Sequence, residues 1–419
     1  MLKKAAAIVG LMLTCAPALG AEIRTTSERL DDGVVSIATQ SGRLVVTTTG
    51  GRKLALEDVK EIRFADRAPA RLRDVHLWLL SGEELNGTVG DEVKQGDTFV
   101  LSTVSLGRLE VPLDLVGAMV FDVTAEQEDR FARRHLGWLT PGRGTRPQHD
   151  GFTLLEGGGR SGRIDRLSRD GLEFSELDRK TAWPTFPLKR LESIVLGGKP
   201  LARGAAGLRV LLRLADGSVA IGPVVKLEAG KLTLSHSLGK KGELEVDMTQ
   251  VLALEVLGGA VAYLSDLAPV AVEETFPEPF ERDADLFSWK RDREVLGAAP
   301  LRLGGKTYRK GLGVHARSSL AFDLRDGRGD GAYRELRAVV GLDDTTKLLG
   351  EAQGLVPSVT FRVIVDGKTI KEITKARGDA PDEISVPVAG AKKVTLLVDC
   401  GEWFHVLGRA DWADAHLVK

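Results

Sequence analysis

The chain has 419 residues, 43% of them hydrophobic and only 5% aromatic, with 48 glycines and a formal charge of −1. That length exceeds a single small domain, and the glycine content points to many turns and few long helices. A near-neutral chain without a clustered basic face excludes nucleic acid as the expected partner.

Taken in chain order, residues 1–20 read as a signal peptide. Lys3 and Lys4 form a basic start, Ala5 to Leu13 an apolar core, and Ala18-Leu19-Gly20 a small-residue cleavage site that makes Ala21 the mature start. The apolar core is shorter than the roughly 20 residues that cross a bilayer, and no other uncharged apolar run approaches that length. The expectation is an exported protein, secreted or held in the periplasm or cell envelope, with no membrane span. Cys15 raises a lipoprotein alternative, but Leu13-Thr14 lacks the small residue that lipidation requires before the cysteine. Once the leader is removed Cys400 is the only cysteine left, so burial rather than an intramolecular disulfide must hold the fold.

Residues 21–265 carry a repeat. Four segments share an apolar triplet at i, i+3, i+6: Leu56, Val59, Ile62; Leu113, Val116, Met119; Leu188, Leu191, Ile194; and Met248, Val251, Leu254. The central positions, 59, 116, 191 and 251, recur by subtraction every 57 to 75 residues. Upstream of each lie alternating apolar runs broken by turn residues, such as Val75-His76-Leu77-Trp78-Leu79-Leu80-Ser81-Gly82 and Leu208 to Leu214 before Asp216-Gly217. These read as hairpins, and the triplet as one short helical turn between two strands. Each unit is similar in size and pattern to a small SH3-like or Sm-like barrel. Units this small are marginal alone, so they are expected to pack as an array. Repeats one and two occupy 21–123 and repeats three and four 151–265. The charged stretch 124–150 between them reads as a short helix and a Pro/Gly loop. The array is either a docking surface for a protein partner or a spacer. Residues 266–283, with Pro269, Pro277, Pro279 and four glutamates, read as an extended acidic linker.

Residues 284–419 bring five signals in a fixed order. Lys310-Gly311-Leu312-Gly313-Val314-His315-Ala316 enters an apolar strand, and Val340-Gly341-Leu342-Asp343-Asp344 closes another. Ser358 to Val363 leads to the turn Asp366-Gly367. Val394 to Asp399 forms a further strand, and Ala410-Asp411-Trp412-Ala413-Asp414-Ala415 ends the series. Many short strands with turn signals between them indicate a β-sandwich. This order resembles the NPCBM family, modules assigned to carbohydrate binding and often appended to bacterial glycoside hydrolases. The resemblance implies a galactose-binding-like jelly roll that binds a glycan, so the whole chain is expected to be all-β.

The candidate sugar contacts are His315, Arg317, Trp403, Phe404 and His405. An imidazole at a strand start can donate to or accept from a hydroxyl, or it can anchor the Gly-x-Gly turn. Arg317, two residues on, either forks onto vicinal hydroxyls or faces solvent. Gly401-Glu402-Trp403-Phe404-His405 stands where the family carries a polar loop. Its rings either stack on a sugar face or cap the core, as expected of Trp289 and Trp412. Asp399, Asp411 and Asp414 suggest structural calcium, whose ligands are clustered carboxylates, or else turn caps that accept backbone N–H bonds. The seven histidines lack metal-binding spacing, and no nucleophile elbow or phosphate loop occurs. A glycosidase needs two carboxylates facing each other across a cleft, which neighbours such as Asp343 and Asp344, or Asp411 and Asp414, do not supply. The expected function is therefore non-catalytic glycan binding. The alternatives are an envelope scaffold whose sandwich has lost sugar binding, and an accessory or catalytic chain of a glycoside hydrolase.

Overall fold

The computed structural model describes residues 20–64, 70, 74–93, 98–122, 124, 131, 147–176, 185–198, 207–275, 287–297, 299–325, 333–346, 356–401 and 407–419. The leader, most of 124–150 and the ring-bearing loop 402–406 lie outside these residues. The described chain is all-β, its strands pairing antiparallel throughout. Among the described residues no helix is long and apolar enough to cross a membrane.

Each apolar triplet folds as the spacing predicts. Three-residue 3-10 turns occur at Leu56–Asp58, Leu113–Leu115, Leu188–Arg190 and Met248–Gln250. In each turn the flanking residue that follows donates its backbone N–H to the carbonyl of the first, so the chain passes into the next strand with its apolar side chain still facing inward. Eleven of the twelve triplet side chains are buried; Leu188 packs against the core from its rim. In three units the strand that opens the unit pairs with the strand that follows the turn: Val75–Leu79 with Val116–Phe121, Asp150–Leu154 with Leu191–Val195, and Arg209–Leu214 with Val251–Leu257. In the first unit Glu22–Thr25 takes the place beside Val59–Arg63.

The units do not stand apart. Ala118 pairs Val195, Glu84 pairs Val219 and Ile62 pairs Leu254, which joins all four into one 15-stranded sheet. A six-stranded sheet joins units one and four through Leu227 and Ile37. One hydrophobic cluster runs through the whole array. Units too small to bury a core of their own thereby share one, and edges that would invite foreign strands are paired within the chain. Polar side chains fix units two and four against each other. Asp216 accepts from the N–H of Ser105, and His236 Nε2 donates to Glu83 at 2.6 Å.

The C-terminal part is a two-sheet sandwich. One sheet runs Lys290–Arg291, Gly311–His315, Arg409–Val418, Glu335–Leu342, Asp382–Pro387, with Val261–Tyr263 added beside Arg409–Val418. The other runs Ala271–Glu274, Ser318–Asp323, Lys393–Cys400, Ser358–Val365, Lys368–Ala376. Their inner faces enclose a separate core in which Trp412 meets Phe361 edge-on, with ring centres 5.1 Å apart. Trp289 is buried in the same core, as expected.

The sandwich begins earlier than its expected start at 284. Val261–Tyr263 is already one of its strands, and a fifth 3-10 turn, Leu264–Asp266, places Leu264 in its core. The segment read as an acidic linker contains the edge strand Ala271–Glu274. An edge strand needs no apolar outer face, so its glutamates and exposed Val272 do not interrupt pairing.

The array docks on one end of this sandwich. Lys60 Nζ donates to His416 Nε2 at 2.8 Å, Arg309 pairs with Glu61 at 2.9 Å, and Arg337 donates to the Thr26 carbonyl. Backbone bonds continue the contact, from Ala260 to Glu57 and from Lys419 to Ala260.

Candidate carbohydrate site

The strand Gly311–His315 needs its glycines. Gly311 has φ +143°, and a Cβ there would sit 2.4 Å from the Trp412 carbonyl oxygen; at Gly313 it would sit 2.2 Å from that of Arg293. The close approach lets Leu312 and Val314 enter the core and brings His315 to the sandwich end opposite the array. His315 is 5% exposed, its ring centre 4.9 Å from that of Phe287. Nδ1 lies 2.7 Å from the Ala316 carbonyl and donates to it. Of the two alternatives read from the sequence, this bond is the one that anchors the turn.

The turn after His315 is tied on both sides. Ala316 donates to the Gly408 carbonyl, and Thr275 donates to that of Arg317. Arg317 is exposed, with Nε 4.0 Å from Asp399 Oδ1. Asp399 Oδ1 accepts the Cys400 N–H at 2.9 Å, and Oδ2 accepts from Arg362 at 3.0 Å. Burial raises the Cys400 thiol above its ordinary pKa, against a hydrogen bond from Arg317 that lowers it. Trp403, Phe404 and His405 lie outside the described residues. Their flanks are at this same end: Gly401 donates to the Ser358 carbonyl, and Gly408 accepts from Ala316.

The three aspartates expected around calcium are not brought together. Asp399 belongs to one sheet and is held by Arg362. Asp411 and Asp414 belong to the other. Asp411 is fully buried between Gly313 and Gly341 on the flanking strands. Asp414 sits at φ +49° beside a register shift, its carboxylate 3.8 Å from His416 Nδ1. Among the described residues no three His, Cys, Asp or Glu side chains converge as metal ligands.

Sequence reasoning missed the partners of these residues. Asp411 packs beside Asp343 and Glu294, both also buried, with Arg409 at the edge of the group. Burial and the adjacent Asp343 carboxyl push Asp411 well above the ordinary carboxylate range. The Asp411 carboxyl shares a hydrogen bond with that of Asp343, which favours its protonated form. Asp343 accepts from the N–H groups of Arg302 and Thr345, and Asp344 from those of Gly304 and Gly305. Both therefore act as turn caps at the hairpin of Leu301–Leu303 and Lys306–Tyr308.

Comparison with known proteins places an NPCBM/NEW2 domain at residues 260–418. A Renibacterium salmoninarum protein named "Putative endo-alpha-N-acetylgalactosaminidase" is 38% identical over 155 residues, which is 36% of this chain and 9% of that protein's length. Among solved structures, the CBM51 module of Clostridium perfringens GH95 in complex with methyl-galactose is 23% identical, with TM-score 0.31, covering 38% of this chain and 99% of that one. The tandem CBM51 modules of the family 98 glycoside hydrolase from Streptococcus pneumoniae SP3-BS71 are 14% identical, with TM-score 0.30, covering 82% and 88%.

Proposed function

We propose that this chain is an exported, non-catalytic protein that binds glycans through its C-terminal NPCBM domain, with the four-unit array as its carrier. The observation that supports this most is the coincidence of two boundaries. The family match, 260–418, spans the sandwich from its first strand, Val261–Tyr263, to its last, Arg409–Val418.

The geometry agrees with presentation of a binding end. His416, at the array contact, and Arg409, beside His315, lie seven positions apart on one strand, about 20 Å at the rise of a β-strand. Among the described residues the array therefore grips one end of the sheet and makes no contact with the other. At that end lie the imidazole of His315 and the exposed guanidinium of Arg317, which offers a set of donors. Sugar hydroxyls accept such donors. Three carboxylates read from the sequence serve the fold: Asp343 and Asp344 cap turns, and Asp411 is enclosed.

Calorimetric titration of the full chain with oligosaccharides ending in galactose or in an N-acetylated hexosamine tests both halves of the proposal when the same samples are assayed for released sugar. Binding heat without product is the expected result. Product at catalytic rates would make the chain an enzyme, and the absence of heat with every sugar would remove the glycan reading. Export is tested separately, by N-terminal sequencing of the protein from the producing cell. Chains beginning at Ala21 are expected, and chains retaining Met1 would contradict it.

A further inference from the structure

We infer that Arg362 and Asp399 form a positioning relay for Arg317, and that this relay tunes the site toward sugars with adjacent hydroxyls. The inference rests on the glycan-binding reading above. Four side chains of alternating charge cross the face of the five-stranded sheet that points away from the core. Arg362 Nε donates to Glu372 at 2.6 Å, and its Nη1 donates to Asp399 Oδ2 at 3.0 Å. Asp399 Oδ1 is fixed by the Cys400 N–H and faces Arg317 Nε at 4.0 Å. Arg317 itself lies in the turn that follows His315, its carbonyl accepting from Thr275.

An isolated exposed ion pair at that distance contributes little. Here both oxygens of Asp399 are already committed, so its position is set before Arg317 arrives. With Asp399 at Nε and a hydrogen bond to the Cys400 thiol, the Arg317 guanidinium is held from the protein side, and its remaining N–H groups form a planar edge toward solvent. Such an edge matches two oxygens on neighbouring ring carbons, each of which can accept. A long side chain held in one rotamer beforehand loses less freedom when it binds. Arg362 and Asp399 are thus positioning residues, acting on a ligand only through Arg317. This assignment also gives Asp399 a role that requires no metal ion.

The test uses the full chain with three probes, methyl galactoside, methyl mannoside and N-acetylglucosamine, and the monodeoxy analogues of whichever binds. R317A is expected to abolish measurable binding. D399N and R362A are expected to weaken it about tenfold, the scale of one charge-assisted hydrogen bond, with thermal midpoints unchanged. D399N should also shrink the difference between the probe and its deoxy analogue, which a purely structural role would not do. R362K, which keeps the charge on Asp399, should recover part of the loss. If D399N and R362A bind as tightly as wild type while R317A does not, the relay is overturned and the glycan site stands. If R317A binds like wild type, the relay has no object and is likewise overturned. A wild-type chain that binds none of the probes removes the functional reading together with the relay.

Discussion

Among single residues, Asp411 is under electrostatic strain. It is enclosed beside two other buried acids and shares a hydrogen bond with one of them, Asp343. Its folded pKa is raised, so its contribution to stability is complete below the ordinary carboxylate pKa and is lost as pH rises through the folded value. D411N removes the ionisation and keeps a donor toward the neighbouring acids. The variant should be more stable than wild type by about 1 kcal/mol at neutral pH, the size of one buried hydrogen bond, with the gap widening as pH rises. Denaturant unfolding at a series of pH values checks this; a variant less stable than wild type, or a gap that narrows with pH, would contradict it. The wild-type sequence gave no hint of this strain, because the acids that surround Asp411 come from Glu294 and Asp343, far away along the chain. His315 was easier to find. The two glycines before it announce a close backbone approach, and the structure shows what they approach, the carbonyls of Trp412 and Arg293.

For elements, the repeated 3-10 turn is the unit from which the array is built. Leu254 is fully buried after the fourth turn, whereas Leu188 sits at the rim of the core within the third. L254A should therefore cost about 2–5 kcal/mol, the usual range for such truncations, and L188A clearly less; equilibrium unfolding of both variants decides, and equal costs would show that Leu188 is as enclosed as its counterparts. These four turns were legible because apolar spacing of three is rare in a chain that otherwise alternates. The fifth turn and the strand Ala271–Glu274 were not, since an edge strand buries only one face and tolerates the prolines and glutamates that signal a linker. Pairing between units, such as Ile62 with Leu254, was also invisible. Strand order across nearly 200 positions leaves no local trace, and neither does the relay from Glu372 to Arg317.

For the whole molecule, the array and sandwich meet through a charged joint centred on Glu61. Glu61 pairs with Arg309 of the sandwich at 2.9 Å and lies within 3.9 Å of Arg24 and 3.3 Å of Arg63 in the array. E61R would place a cation among three others. Wild type is expected to melt with array and sandwich coupled, and E61R to separate their transitions in calorimetry and enlarge the radius of gyration in small-angle scattering. An unchanged melting curve and radius would mean that the strand Val261–Tyr263 and the backbone bonds at Ala260 hold the joint without the charges. The joint matters for function because it occupies the end of the sandwich remote from His315 and Arg317, and so leaves that end to a ligand. The most direct measurement is a glycan-array screen of the full chain, run beside the H315A, R317A double variant. The account predicts binding to a defined group of glycans by wild type and its loss in the folded variant; equal binding by both proteins, or by neither, would contradict it.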